Sequence, residues 1–239
     1  MPRDKIVFAF LLCCTALGTW AQNSMPELKR TADYYKSLAA FSVKVSVDFY
    51  TEEASAKPVK NMQGSAQIMG RLSYSVFDGR ESIMGKDFIL VADHGNKSIY
   101  YSPREKNAKS NVSSGAEVLD STFISRYNVA EKPLDDATVE YRLTPKKQGG
   151  EFKSVSIKIN RAQHILKEIV YLYNGEVKFK KVVVKYTDFK PSVDTSKNLF
   201  GESKFITGSQ KKAALQPAYS AYQLINSFNY DPKKNLIEQ

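Results

Sequence analysis

Residues 24–51 constrain the fold more than any other stretch, because the hydrophobic period changes once inside them. Leu28, Ala32, Tyr35, Leu38 and Ala39 recur at helical spacing and share one face. Ser24 and Glu27 match the reciprocal capping pattern of a helix start. Pro26 falls where a helix tolerates a missing N–H. From Phe41 the period drops to two. Phe41, Val43, Val45, Val47 and Phe49 face one way; Ser42, Lys44, Ser46, Asp48 and Tyr50 face the other. The stretch predicts an amphipathic helix delivered onto a sheet with one apolar face.

Similar patterning continues along the chain. A strand over 62–69 alternates Gly64, Ala66 and Ile68 with Gln63, Ser65 and Gln67, and Gly70-Arg71 turns it into Leu72, Tyr74 and Val76. Asp78-Gly79 is a strong tight-hairpin signal. Short strands follow at 82–84, 87–92 and 98–102, the last two carrying Leu90 and Tyr101. Residues 103–115 are polar and aperiodic, a surface loop. Residues 117–127 read as a short helix with Val118, Leu119, Phe123 and Tyr127 on one face. A second meander alternates Val139, Tyr141 and Leu143, then Val155, Ile157 and Ile159. Asn174-Gly175 predicts another tight hairpin between 166–173 and 177–189. Residues 211–228 read as a helix interrupted at Pro217, with Leu215, Tyr219, Tyr222 and Ile225 at apolar spacing. The fold class is therefore mostly β with helices (α+β): one curved antiparallel sheet over 22–207, then a C-terminal helix and tail over 208–239.

Residues 1–21 read as a secretory signal peptide. Arg3 and Lys5 precede an apolar run over 6–17, and Thr19 and Ala21 are small residues flanking Trp20, which places cleavage after Ala21. The alternative is an N-terminal membrane anchor, for which the apolar run is short. Cys13, Cys14 and Trp20 all lie in this segment. The mature chain then has no cysteine, which excludes disulfides, thiolate nucleophiles and cysteine metal sites. The expected compartment is the periplasm. The formal net charge is +10, which suits nucleic acid, an anionic membrane or an acidic partner, or simply solubility from scattered lysines; export argues against nucleic acid.

Catalytic patterns are sparse. The chain has two histidines: His94 in a predicted turn beside Asp93, and His164 at the start of a strand. Either can act as a base, but a surface turn histidine is the ordinary reading. No Gly-x-Ser-x-Gly elbow occurs, and two distant histidines give no metal spacing. The pairs Glu52-Glu53 and Asp135-Asp136 read as solvated loop charge. Residues 79–87 approach a phosphate loop, but one residue too many separates the glycines and Asp87 stands where a hydroxyl belongs. Asn96 and Asn111 open acceptor sequons. Lys178, Lys180, Lys181 and Lys185 read as the wet face of a strand, or as a docking patch for an acidic surface. Aromatics on a curved sheet under a helix can fill a core or line a hollow, and the residues alone leave both open.

Taken together, 38–49, 64–74, 90–101 and 182–205 (with Tyr186, Phe189, Asp194, Phe200 and Phe205) resemble the lipoprotein-carrier family typified by LolA and LolB, over about residues 26–207. Departures are Gly70-Arg71 where that family often has proline and arginine, Ile99-Tyr100 where tryptophan is common, and 208–239, which have no counterpart. The resemblance implies a half-open antiparallel barrel covered by helices, with an apolar cavity for acyl chains, no catalysis and no cofactor. A ~14-carbon chain in water faces roughly 10 kcal/mol, so a carrier must enclose it. The expected cavity residues are Phe41, Val43, Val45, Val47, Phe49, Ile68, Leu72, Tyr74, Leu90, Tyr101, Tyr141 and Ile157. Leu28, Tyr35 and Leu38 would form the lid, with Arg71 in place of the arginine that helps hold it closed. Expected partners are lipid or lipoprotein acyl chains, an inner-membrane donor and an outer-membrane acceptor, handled by a monomer. The competing readings are a non-catalytic envelope module that recognises a protein or glycan and, more remotely, an enzyme using scattered acids.

Overall fold

A computed structural model describes residues 25–105 and 116–229. The signal-peptide reading, the Ser24 half of the capping pattern, most of the 103–115 loop, the Asn111 sequon and the 230–239 end of the C-terminal tail lie outside the described residues. In chain order the elements are α1 (Pro26–Ser37), β1 (Ala40–Tyr50), β2 (Lys60–Met69), β3 (Leu72–Phe77), β4 (Arg80–Met84), β5 (Phe88–Asp93) and β6 (Ser98–Pro103). After them come a one-turn helix α2 (Ser121–Ile124), β7 (Tyr127–Pro133), β8 (Thr138–Pro145), β9 (Phe152–Asn160), β10 (Ile165–Tyr173) and β11 (Lys181–Lys190). Three short strands close the described chain: β12 (Ile206–Thr207), β13 (Ala214–Leu215) and β14 (Gln223–Asn226). The chain divides into two units, one of residues 38–47, 61–105 and 186–229, the other of 25–37, 48–60 and 116–185.

In the first unit the strands order β14-β6-β5-β4-β3-β2-β1. The pairs from β2 to β6 are antiparallel, and β14 adds parallel to β6. The Asp78-Gly79 hairpin forms as expected: Phe77 faces Arg80, and both turn residues have positive φ (48° and 75°), the left-handed pair such a turn requires. Gly64 has a different role. A Cβ there would lie 2.1 Å from the Val76 carbonyl oxygen and 2.4 Å from the Phe77 ring, so only glycine lets β2 approach β3. Cross-strand register aligns Tyr74, Ile83, Leu90 and Tyr101 in one row, and Val76, Glu81, Ala92 and Ile99 in the next.

In the second unit the order is β11-β10-β9-β8-β7. Its core is built as the alternation predicts. Val139, Tyr141, Leu143, Val155, Ile157, Ile159 and Ile169 are fully buried, and Tyr141 pairs with Ile157, which pairs with Ile169. The amphipathic stripe of α1 buries Leu28, Thr31 and Tyr35, and the helix packs on β9 and β10. A 3₁₀ turn (Ala116–Leu119) lies against α1 with Val118 and Leu119 buried.

Four expectations change. The helix over 117–127 is instead the 3₁₀ turn and α2, because Asp120 accepts the Thr122 N–H (2.8 Å) and starts a new turn, while Tyr127 onward pairs with β8. The helix over 211–228 is a run of 3₁₀ turns and short strands. Apolar residues at 219, 222 and 225 recur every third position, a spacing that successive 3₁₀ turns also satisfy. The free edge of β6 then takes up the backbone of β14, starting with Gln223 N–H on the Lys97 carbonyl (2.8 Å). Asn174-Gly175 does not close a two-residue hairpin. Asn174 is bonded to the Glu151 and Gly150 carbonyls, and the loop runs on to Lys180. Finally, the alternation of β1 holds for buried Phe41, Val43 and Val45 but not to its end. There Asp48 and Tyr50 are buried and Val47 and Phe49 half-buried. Asp48 is held by Lys185 (3.0 Å), and Lys181 lies 4.1 Å over the Tyr50 ring.

Candidate functional site

In the β2–β6 unit the expected lining residues Tyr74, Leu90 and Tyr101 do come together. With Ile83, Phe88, Ala92 and Ile99 they form one continuous apolar surface. Helices were expected to cover it. The cover is instead the irregular segment 199–229. Phe205 and Ile206 are buried on the sheet, and Leu199, Phe200, Leu215, Tyr219, Tyr222, Leu224 and Phe228 pack around them. Ring centroids are 4.7 Å apart for Phe205–Tyr219, 4.8 Å for Tyr101–Phe228 and 5.7 Å for Phe88–Tyr101.

One carboxylate lies in this surface. Glu81 follows the alternation of Ile83, so it points inward between Val76 and Ala92. Tyr74 donates its hydroxyl to Glu81 Oε2 (2.9 Å), and Lys204 Nζ donates to both carboxylate oxygens (2.8 and 2.6 Å). His94 Nε2 stands 3.1 Å from Glu81 Oε1, and His94 Nδ1 is 2.9 Å from the Tyr222 hydroxyl. A ring protonated on Nε2 donates to the carboxylate and accepts from Tyr222, so one tautomer satisfies both contacts. Burial pushes the Glu81 carboxyl up, but the bonds from Lys204, Tyr74 and His94 outweigh it and leave the acid below its ordinary range. Burial, with Glu81 as its hydrogen-bond acceptor, pushes the Tyr74 phenol well up. Burial and nearby Glu202 raise Tyr101 to about 12. The cover is thus fixed by polar bonds as well as by rings: its Lys204 and Tyr222 reach Glu81 on β4 and His94 in the β5–β6 turn, and its β14 pairs with β6.

His94 is therefore half-buried and doubly bonded where a surface turn histidine was expected. Glu81, Lys204 and Tyr222 were not foreseen as a group. Part of the signal was in the register: Glu81 is two residues from Ile83 and so falls on the apolar face, whereas His94 lies just past the end of β5, in the turn.

The remaining expected residues are placed as follows. Phe41, Val43 and Val45 are buried on β1, with Phe41 stacked on Phe189 (5.7 Å). Val47, Ile68 and Leu72 are half-buried, as is Phe49, whose ring lies 4.9 Å from Phe179. Tyr141 and Ile157 belong to the core of the second unit. Of the lid residues, Leu28 and Tyr35 are buried under α1, where the Leu166 N–H reaches the Tyr35 hydroxyl (3.4 Å) and burial raises that phenol to about 12. Leu38 is half-buried beyond the helix end. Arg71 sits exposed in the β2–β3 turn, and its carbonyl accepts from buried Arg104 (2.8 Å). Glu27 of α1 accepts from Arg30 (2.6 Å) and contacts His164 Nδ1 (3.2 Å), which ties the helix start to the β9–β10 turn. The second unit also has an open cleft of about 490 Å³, lined by Thr51, Glu52, Glu53, Lys153, Tyr173 and Lys180 among others; open to solvent and carrying four charged side chains, it does not suit an acyl chain.

These features define a class: an antiparallel β protein whose apolar sheet faces are covered by segments of its own chain, with polar ties at the seams. No protein-family model matches the chain, and none of the curated proteins matches it by sequence. Solved structures similar to it include an uncharacterized conserved protein from Thermus thermophilus (12% identity, 84% of this chain and 98% of that one, TM-score 0.48). Another is a LolA superfamily protein from Nitrosomonas europaea (10% identity, 77% and 98%, TM-score 0.32). A third is the Pseudomonas aeruginosa MucA/MucB complex (11% identity, 78% and 63%, TM-score 0.36). The LolA-type resemblance read from the sequence recurs among them. No helix among the described residues is long and apolar enough to cross a membrane.

Proposed function

We propose that the protein is a non-catalytic acyl-chain carrier of the periplasm, taking lipid or lipoprotein chains toward the outer membrane. In this reading Tyr74, Leu90 and Tyr101 form the acyl surface, and residues 199–229 are its exchangeable cover. The other expected residues join the proposal each within its own unit: Phe41, Val43, Val45, Val47, Ile68 and Leu72, with Leu38 and Arg71 as lid, beside that surface, and Phe49, Tyr141 and Ile157, with Leu28 and Tyr35 as lid, in the other unit. The observation that carries it is the nature of the cover. It has no α-helix among its described residues, only two-residue strands, 3₁₀ turns and one short parallel strand, so the backbone bonds that its release must break are few, chiefly those of β14 to β6. What holds it down is apolar contact, which an acyl chain can replace, plus the polar ties at Glu81 and His94 and the backbone pairing of β14 with β6.

The test is equilibrium binding of a fluorescent fatty-acyl probe to delipidated protein. The carrier reading expects saturable uptake, weakened by Leu90→Asp in a protein that still unfolds cooperatively. It also expects faster amide exchange in 199–229 on binding. Failure of the probe to bind, with a single protein captured reproducibly from envelope extract, sinks this reading in favour of a protein-recognition module on the same fold.

A further inference from the structure

A second feature lies in the other unit, at the end of its sheet where three loops meet. The loops 51–60, 146–153 and 174–181 are joined by backbone bonds: Lys180 N–H to Tyr50 C=O (2.9 Å), and Asn174 N–H to Glu151 C=O (2.9 Å). They carry eight lysines against four glutamates. Two of the most exposed large apolar side chains among the described residues are here as well, Val59 (58% exposed) and Val177 (42%). The Val59 loop is linked to the Val177 loop through Phe49. The Val59 N–H bonds the Phe49 carbonyl (2.8 Å), and the Phe49 ring packs on Phe179, two residues from Val177.

Three of these lysines, Lys178, Lys180 and Lys181, are held by neutral partners. Lys181 Nζ donates to the carbonyls of Glu53 (2.7 Å) and Ser55 (3.0 Å) and lies over the Tyr50 ring. Lys180 Nζ donates to the Gly175 carbonyl. Lys178 lies 5.4 Å over the Phe179 ring. Carbonyls and rings orient these ammonium groups without cancelling their charge. Lys153, by contrast, is matched with Glu53 (3.0 Å). Exposed valines among positive charges held by neutral partners do not serve solubility. They match a surface that is anionic on the outside and apolar just beneath.

We infer that this loop end docks on an anionic lipid bilayer, its lysines over the phosphate headgroups and Val59 and Val177 seated at the acyl boundary. An acidic protein would meet the charge but would gain nothing from two separate aliphatic tips beside it. The inference does not depend on acyl binding in the other unit, and the two assays can fail separately.

The test is co-sedimentation of the full chain with phosphatidylcholine vesicles, with and without phosphatidylglycerol. Binding is expected only with phosphatidylglycerol, falling as salt rises. Lys178→Ser and Lys146→Ser should each weaken partitioning about fivefold. Val177→Asp should weaken it more, and the loss should persist at low salt. Lys36→Ser on α1 removes the same charge elsewhere and should change little. Equal binding to both vesicle types, no binding to either, or an equal effect of Lys36→Ser overturns the inference. So does poly-glutamate capture matching vesicle binding with Val177→Asp silent, which would point to an acidic protein instead.

Discussion

Phe205→Ala separates a cover that can leave from one that is part of the core. Phe205 is fully buried, with its ring 4.7 Å from Tyr219 and 6.4 Å from His94. Replacing such a phenylalanine by alanine costs about 3–5 kcal/mol. If segment 199–229 undocks as a unit, that loss falls on docking alone. At 1.4 kcal/mol per factor of ten, the open fraction rises by roughly two to three and a half orders of magnitude, until it saturates. Apparent affinity for an acyl probe that needs the open face should rise by the same factor, and amides in 199–229 should lose exchange protection while β3–β5 keep theirs. Titration with the fluorescent probe and hydrogen exchange read both quantities. If the segment is integral, the whole loss appears in global unfolding instead. The Tm then drops by about 6–20 °C, taking roughly 2–4 °C per kcal/mol for a chain of this size. A full global loss, with probe affinity unchanged or lower, refutes the exchangeable cover.

Further outcomes follow from particular contacts. Glu81 holds its proton less readily in the folded protein than the ordinary value of 4.5, so its contribution is complete above that range and fades as pH falls through its lower folded value. Acid titration of exchange protection in 199–229 should show this loss below about pH 4.5, and Glu81→Gln should weaken protection at neutral pH and flatten the acid limb. Arg104→Leu strips the donor from the Arg71 and Gly85 carbonyls (2.8 and 2.7 Å), and a loss of about 1.5–3 kcal/mol in urea unfolding is expected. Gly64→Ala drives a Cβ into the Val76 carbonyl at 2.1 Å; it should cost at least about 1–3 kcal/mol, whereas Gly150→Ala, with open space around it, should be nearly silent.

The sheet was legible wherever one side of a strand faces a core. Val139-Tyr141-Leu143 and Val155-Ile157-Ile159 announce themselves by period two, and their burial follows it residue by residue. The end of β1 was not legible, because Asp48 and Tyr50 are buried through Lys185 and Lys181, which lie far off in sequence. The same non-locality hid the site. Nothing near Glu81 in the chain reveals that Lys204 and Tyr222 arrive over it, and a spacing of three at 219, 222 and 225 fits a helix as well as a string of 3₁₀ turns. What decides between them is the unfilled edge of β6, a property of the assembled sheet.

That ambiguity bears on function. A continuous helix of about 18 residues would satisfy its own backbone and could lift away intact. The observed segment draws hydrogen bonds from outside itself, at Lys97 for Gln223 and at Glu81 for Lys204, so its release must break them. An acyl chain can replace the contacts of Phe205 and Phe228 but cannot accept the Lys204 ammonium. Cargo whose headgroup brings an anion offers Lys204 a new partner, while a bare hydrocarbon leaves it to water. On the carrier reading, affinity for a fatty acid should therefore exceed that for the alcohol of equal length, and Lys204→Met should erase the difference. Equal affinities in the unaltered protein would mean that the cover opens without help from the cargo's charge.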